Sequence, residues 1–517
     1  MRKFILFATV LFFTAIIFTV SCRHKPNVTP VVVTADSSNF PDSISKILVS
    51  KCDVDGCHNK ASSINAGQLA LDSWEHLFNG GLGGAVAIAY SPDYSLLLQR
   101  VNMDPALGTA IFDYDSMHNK LLTTAQYLTL SNWIKNGAPD KNGNIPFAAD
   151  PDTRQKIYLA HSSPCNVVAV IDAKSKLIMR YIKVGDQLDE LPHDVEVSSD
   201  GAFAYVSLFG GNLVQKIDTR TDAIVSTINL STETQGAAAG GWSIIYLSPQ
   251  DTAFMVSGYV PNGGIVSVNT AAMQVDNKKT IDFRNTGSSS FFSYPHGIAS
   301  NPTFDTFFTT LQYGNAVIRY SCNPLKFKFI SVNGQTPGST DSTDHTSPNP
   351  HQVIMAPDYS RYFVTCQHTQ NLPGTVSVID AHTDAIDTQI TVGSYPQEMA
   401  ISTSKNYLFV ACMEDYDNPN AGMLGSVYVI NLSTYEIVKK IYGNFRQPHD
   451  IAVDERDGLL FIGSRNADAG GVVSHHSTSC GGNAGWYSVY DLNTLMPADN
   501  QYYQAGRDAY TLAVRFK

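Results

Sequence analysis

Beginning at Pro192, Gly241, Pro295, Pro350, Pro396 and Pro448, six stretches of the chain follow one plan, 46 to 55 residues apart. The stretch from Pro350 to Gly393 shows it most plainly. Four runs, QVIMAP, RYFVTC, TVSVIDA and DTQITVG, are rich in β-branched and aromatic residues, and clusters of Asp, Ser, Asn, Pro and Gly punctuate them. The first kind of residue fits a pleated, half-buried surface; the second supplies turns. Repetition at this period belongs to propellers and solenoids, and units of four strands with no helix point to the propeller. The block from 156 to 190 offers three strands with no inner strand ahead of it, and residues 509–516 (AYTLAVRF) offer one strand with nothing after it. Together they predict a seventh blade closed by both ends of the repeat region, which removes free sheet edges. The expected fold class is mostly β, a seven-bladed β-propeller over 151–517 preceded by a small all-α domain over 43–147.

Charged residues make up 16% of the 517-residue chain, with Lys+Arg 35 against Asp+Glu 46 and a net charge of -11. That balance excludes the basic footprint of a nucleic-acid binder. Eight cysteines are too few for a disulfide scaffold. Cys165 and Cys480 lie in loops of the first and last blades and are expected to pair. Cys366 and Cys412 occupy the same place in adjacent blades, either as a disulfide or as two buried thiols.

Arg2 and Lys3 precede an apolar run from Phe4 to Val20, the pattern of an export signal or of one retained membrane-spanning anchor. Ser21-Cys22 at its end resembles a bacterial lipoprotein signal. The resemblance implies removal of residues 1–21, lipidation of Cys22 and attachment to a membrane outside the cytoplasm. Residues 22–42 then read as a flexible tether. The basic RHKP after Cys22 favours the periplasmic face of the outer membrane over display at the cell surface.

In the small domain a short helix, Ser43 to Ser50, runs into Lys51-Cys52-Asp53-Val54-Asp55-Gly56-Cys57-His58. Two thiols directly before a histidine serve c-type haem attachment, a disulfide or a metal site. A second helix is predicted over Thr124–Asn136, with Leu128, Leu130, Trp133 and Ile134 apolar and Gly137 as its stop. The region from 45 to 140 resembles cytochrome c domains of lipoproteins and planctomycete-type proteins, some of which use C-x4-C-H and end in W-I-x-x-G-A, here Trp133 to Ala138. The resemblance implies haem c bound through Cys52 and Cys57, with His58 as the proximal iron ligand and Met117 as the distal one. Where that family has proline after the methionine, this chain has His118; Met103 and His118 are the other distal candidates. His76 reads as an ordinary partly buried histidine.

Four blades open on a histidine: His193, His296, His351 and His449, with Trp242, Gln397 and Tyr510 assigned to the equivalent places elsewhere. Inner strands line a propeller's channel and begin at one mouth, so four imidazoles are expected to converge there. Such a group suits copper, zinc, iron or nickel, a small molecule or anion, or a structural hydrogen bond to the next blade. Asp194 and Asp450 are expected to point away, by strand alternation. His161 and His368 close second strands and are expected near the same level as supporting groups. Long insertions in blade six (MEDYDNPNAGMLG) and blade seven, the latter with His475 and His476, are placed to cover a site. The motifs VSVIDAHTDAI and TVGSYP resemble the YVTN family of seven-bladed propellers. The histidine pattern is similar to the propeller of nitrous oxide reductase, whose separate copper domain this chain lacks, and to the haem d1 propeller.

The leading expectation is a membrane-anchored periplasmic electron-transfer protein whose propeller docks a redox partner or holds a second metal. The alternatives are a non-enzymatic assembly or ligand-binding subunit of an outer-membrane complex, and a metalloenzyme acting on a small inorganic or sulfur compound. The sequence identifies no catalytic residue.

Overall fold

The computed structural model describes residues 37–517 except 109–117, 119–120, 164, 234–240, 260–262, 282–293, 323, 338–346, 369–371, 421, 423, 466–484 and 502. Seven antiparallel sheets form a seven-bladed β-propeller. Blade one joins Ala509–Val514 to Lys156–His161, Val167–Asp172 and Leu177–Lys183, so the two ends of the repeat region close the ring as predicted. The inner strands of blades two to seven are Pro192–Val197, Trp242–Leu247, Pro295–Ser300, Pro350–Met355, Ser394–Ser402 and Pro448–Asp454. Second strands are buried almost throughout, as at Tyr362, Phe363 and Val364. Outermost strands alternate exposed with more covered residues, as in Ala223–Asn229, because only one face meets a neighbouring blade.

One irregularity recurs in every blade. Pairing of first and second strands slips after Pro192, Trp242, Pro295, Pro350, Pro396 and Pro448, and opposite Tyr510 in blade one. A bulge leaves a residue outside the ladder and re-aims its side chain. Strand-two hydroxyls secure four of these bulges. Thr365 Oγ1 accepts the Gln352 N–H at 2.9 Å and donates to the Gln397 carbonyl of the next blade at 2.9 Å. Ser207, Ser257 and Thr310 do the same between their own blades and the next. Each hydroxyl thus satisfies a backbone donor that the bulge would leave unpaired and ties adjacent blades together.

Among the described residues before the propeller, the regular elements are α1 (Asp42–Lys51), α2 (Trp74–Leu77), α3 (Leu96–Val101) and α4 (Thr124–Lys135), with short 3-10 turns. A capping box between Thr123 and Gln126 starts α4. Gly137, at φ +94, ends it, with Ala138 N–H donating back to the Trp133 carbonyl. Ile44, Leu48, Leu97, Leu130 and Ile134 share one core. This region packs on blades one and seven: Ile88 joins the cluster of Leu177, Tyr487 and Tyr503, and Tyr94 stacks on Tyr181 with centroids 4.1 Å apart. Among the described residues no helix is long and apolar enough to cross a membrane; the apolar run 4–20 and Cys22 lie outside them.

Candidate functional site

At the C-terminal end of α1 the chain turns through residues 53–57. Gly56 takes φ +81, a backbone angle that side-chain-bearing residues resist, and His58 N–H closes the turn on the Cys52 carbonyl at 3.1 Å. Cys52 and Cys57 are both free thiols, not a disulfide. Burial, with Cys57 as a further cause, pushes the Cys52 thiol up to about 12. His58 Nδ1 lies 3.2 Å from the Leu69 carbonyl, which only accepts, so Nδ1 carries the proton and Nε2 keeps its lone pair. Burial also lowers the His58 pKa, keeping the ring neutral. Of the three distal candidates, Met117 lies outside the described residues and Met103 is 40% exposed. The His118 ring faces His58, with centroids 5.9 Å apart and planes inclined by 26°. His76 is half-buried and bound to Asp72, as expected.

At the propeller mouth the bulges turn four histidines and a tyrosine toward one another. The ring centroids run His193–His296 5.6 Å, His296–His351 3.9 Å, His351–His449 5.9 Å, His449–Tyr510 3.7 Å and Tyr510–His193 4.9 Å. The circuit closes on itself, and all five residues are fully buried. The two wider gaps fall where blades three and six contribute Ser243 and Gln397. Trp242 is not the equivalent residue there. It pairs with Gly258 just as Pro192 pairs with Leu208, so the ring position in blade three belongs to Ser243, and Trp242 is core. Aligning Gly-Trp with Pro-His displaced the reading by one residue. Phe209 and Tyr259 flank the ring, at 5.4 Å from His193 and 5.3 Å from His296.

Next to the ring, residues of all seven inner strands line a cavity of about 420 Å³. Asp194, Glu196, Glu398 and Asp450 line it with Gln352 and Lys517. Asp194 and Asp450, expected by strand alternation to point away from the histidines, line this cavity beside the ring. Their role is structural. Asp194 accepts the N–H groups of Val195 and, in the next blade, Ile245; Asp450 accepts those of Ile451 and, in the next blade, Leu512. Burial nevertheless pushes Asp450 up to about 7. Glu398 occupies the same position with one more methylene and makes neither clasp. Its Oε2 accepts from Gln352 Nε2, and its Oε1 has no hydrogen-bond partner among the described residues. Sequence reading missed Glu398, although Pro-Gln-Glu beside Pro-His-Asp and Pro-His-Gln marks it.

The remaining sequence candidates stand apart from the ring. His161 binds the Arg507 carbonyl through Nδ1 at 3.1 Å, and His368 binds Thr375 in its own blade at 3.1 Å. Cys366 and Cys412 are free and buried, each in its own sheet, so the two-thiol reading holds. Cys165 is disulfide-bonded; its expected partner Cys480, with His475 and His476, lies outside the described residues.

No family model matches the chain, and no curated protein does. Among solved structures, hydrazine synthase of Kuenenia stuttgartiensis is similar at 14% identity and a TM-score of 0.45, covering 63% of this chain and 89% of that one. A functionally unknown protein from Desulfotomaculum acetoxidans is similar at 12% identity and a TM-score of 0.48, covering 69% and 98%. Dihydro-heme d1 dehydrogenase NirN in complex with DHE is similar at 13% identity and a TM-score of 0.44, covering 84% and 94%.

Proposed function

We propose that this protein is a membrane-anchored electron-transfer protein that carries a covalent c-type haem in its small domain. The observation that carries the reading is the Cys52–His58 loop, in which two free thiols lead into a histidine whose Nδ1 is held by the Leu69 carbonyl. That donor set fits the group. Cys52 and Cys57 would hold it through thioethers, and His58 Nε2 would bind its iron. A carbonyl on the far ring nitrogen fixes the tautomer and raises ligand basicity. A second iron ligand would come from Met117 or from its neighbour His118, and the facing of the His58 and His118 rings supports the latter. A haem held there supplies a one-electron iron couple, and two protein ligands close the iron to substrate.

In this reading a lipid on Cys22 holds the protein at the periplasmic face of the outer membrane. Residues 23–42 give it reach, and the propeller docks the redox partner. The stack of Tyr94 on Tyr181 keeps the small domain against blade one, so the partner meets both together. The test is the visible spectrum of the full chain made in a host that attaches haem. A reduced c-type band that titrates reversibly as one electron is expected. His58→Ala should abolish the low-spin form while the pigment stays attached. A colourless wild-type protein would overturn the reading.

A further inference from the structure

We propose that His296, His351 and Glu398 form a binding site for one first-row divalent transition-metal ion, such as iron(II) or zinc(II), at the mouth of the channel. The three come from the inner strands of consecutive blades four, five and six, and one ligand atom of each lies within 4.8 Å of the others. This site is separate from the haem reading and does not rest on it.

Three observations carry the proposal. The first is Glu398, which is 4% exposed, with an Oε1 that makes no hydrogen bond among the described residues and lies 3.6 Å from His351 Nδ1. Asp194 and Asp450, at the same position in their blades, spend their carboxylates on the next blade's backbone; Glu398 does not. Asp450 and Asp194 line the same cavity as Glu398. A buried carboxylate among other carboxylates is costly, and a bound cation offsets that cost.

The second is the tautomer of His296. Its Nδ1 lies 3.2 Å from the His351 carbonyl, so it donates there and leaves Nε2 as the ligating atom. This is the outer hydrogen bond that ligating histidines typically make.

The third is access. Glu398 lines the channel cavity, so an ion, and then a small ligand on it, reaches the site through a space of about 420 Å³. Two imidazoles and one carboxylate choose the metal class. Nitrogen donors disfavour magnesium and calcium, and the lack of thiolate disfavours copper(I). Three protein ligands leave open positions, as in catalytic zinc and non-haem iron centres. The His449 and Tyr510 rings, with centroids 3.7 Å apart, lie outside this set of three ligands.

The experiment is a titration of the chelator-stripped full chain with cobalt(II), followed by its visible bands, and with zinc(II), followed by thermal melting. One ion per chain is expected, with a rise in Tm, because an ion that binds only the folded state stabilises it. Glu398→Gln and His351→Ala should each weaken binding by about 100-fold or more, above the range for outer-shell changes. His449→Gln should change it less than about tenfold. The Cys52→Ala/Cys57→Ala variant, which carries no covalent haem, should bind as the wild type does, so the fate of the haem reading does not touch this result. Wild-type protein that shows neither cobalt bands nor a Tm rise overturns the proposal, whether or not the variants fold. Equal losses in His449→Gln and Glu398→Gln would assign the ion to the histidine ring and overturn this ligand set.

Discussion

The two candidate centres are built in opposite ways. Cys52, Cys57 and His58 lie within seven residues on one turn, so local chain geometry sets their spacing. The channel mouth draws Tyr510, His193, His296, His351, Glu398 and His449 from six blades, so it exists only in a closed ring. A contiguous motif survives faults elsewhere, whereas an assembled one inherits every fault in closure. Damage to the propeller should therefore separate the two centres.

The largest separation comes from deleting residues 509–517. Ala509–Val514 is buried along its length and pairs with Lys156–His161, so its loss leaves the edge of Lys156–His161 bare and breaks the ring. The propeller should lose its cooperative transition, a cost above ~5 kcal/mol, the lower end of whole-domain stability. Limited proteolysis and thermal melting report this, and a wild-type melt would refute the closing blade. Asp508→Ala is the next test. Arg465 and Asp508 are fully buried, with Nε–Oδ1 at 2.6 Å, and the guanidinium sits 5.0 Å over the Tyr510 ring. Removing one partner strands the other charge at about 3–5 kcal/mol, read by urea denaturation. The visible spectrum of the small domain should not change, and a change would couple the centres.

His161 lies between the two regions, 5.7 Å from Tyr181, on which Tyr94 stacks. Burial pushes it from 6.5 down to about 4. The unfolded chain therefore binds the extra proton in that window, so the contribution is complete above pH 6.5 and is lost as pH falls through about 4. His161→Gln should flatten that part of the urea-midpoint profile, by on the order of 3 kcal/mol in the wild type; an unaltered slope would contradict it. The smallest effect belongs to the clasps. Thr365→Val leaves the Gln352 N–H and Gln397 carbonyl unpaired, for about 1–3 kcal/mol. Ala411 and Gly463 hold the same place in blades six and seven and carry no hydroxyl, so substituting them with valine should cost nothing through this mechanism.

How much the sequence disclosed follows the same division. The repeat period, the closing blade and the histidine positions were legible because each blade repeats one pattern of apolar runs and turns. The clasps of Asp194 and Asp450 onto the next blade's backbone were not, because a strand pattern read within one blade shows no bond between blades. Glu398 was hidden for the same reason, and Ser243 because its blade opens on Trp242 in place of proline. The Cys-x4-Cys-His loop was legible outright, and Gly56 at positive φ supplies the turn that its longer gap requires.

The most direct measurement is the intact mass, with a peptide map, of the denatured full chain made in a host with haem-attachment machinery. The account predicts one haem that stays with the chain after denaturation and maps to the peptide holding Cys52 and Cys57. A chain of unmodified mass, or one carrying a Cys52–Cys57 disulfide, would contradict it and leave the propeller as a binding scaffold.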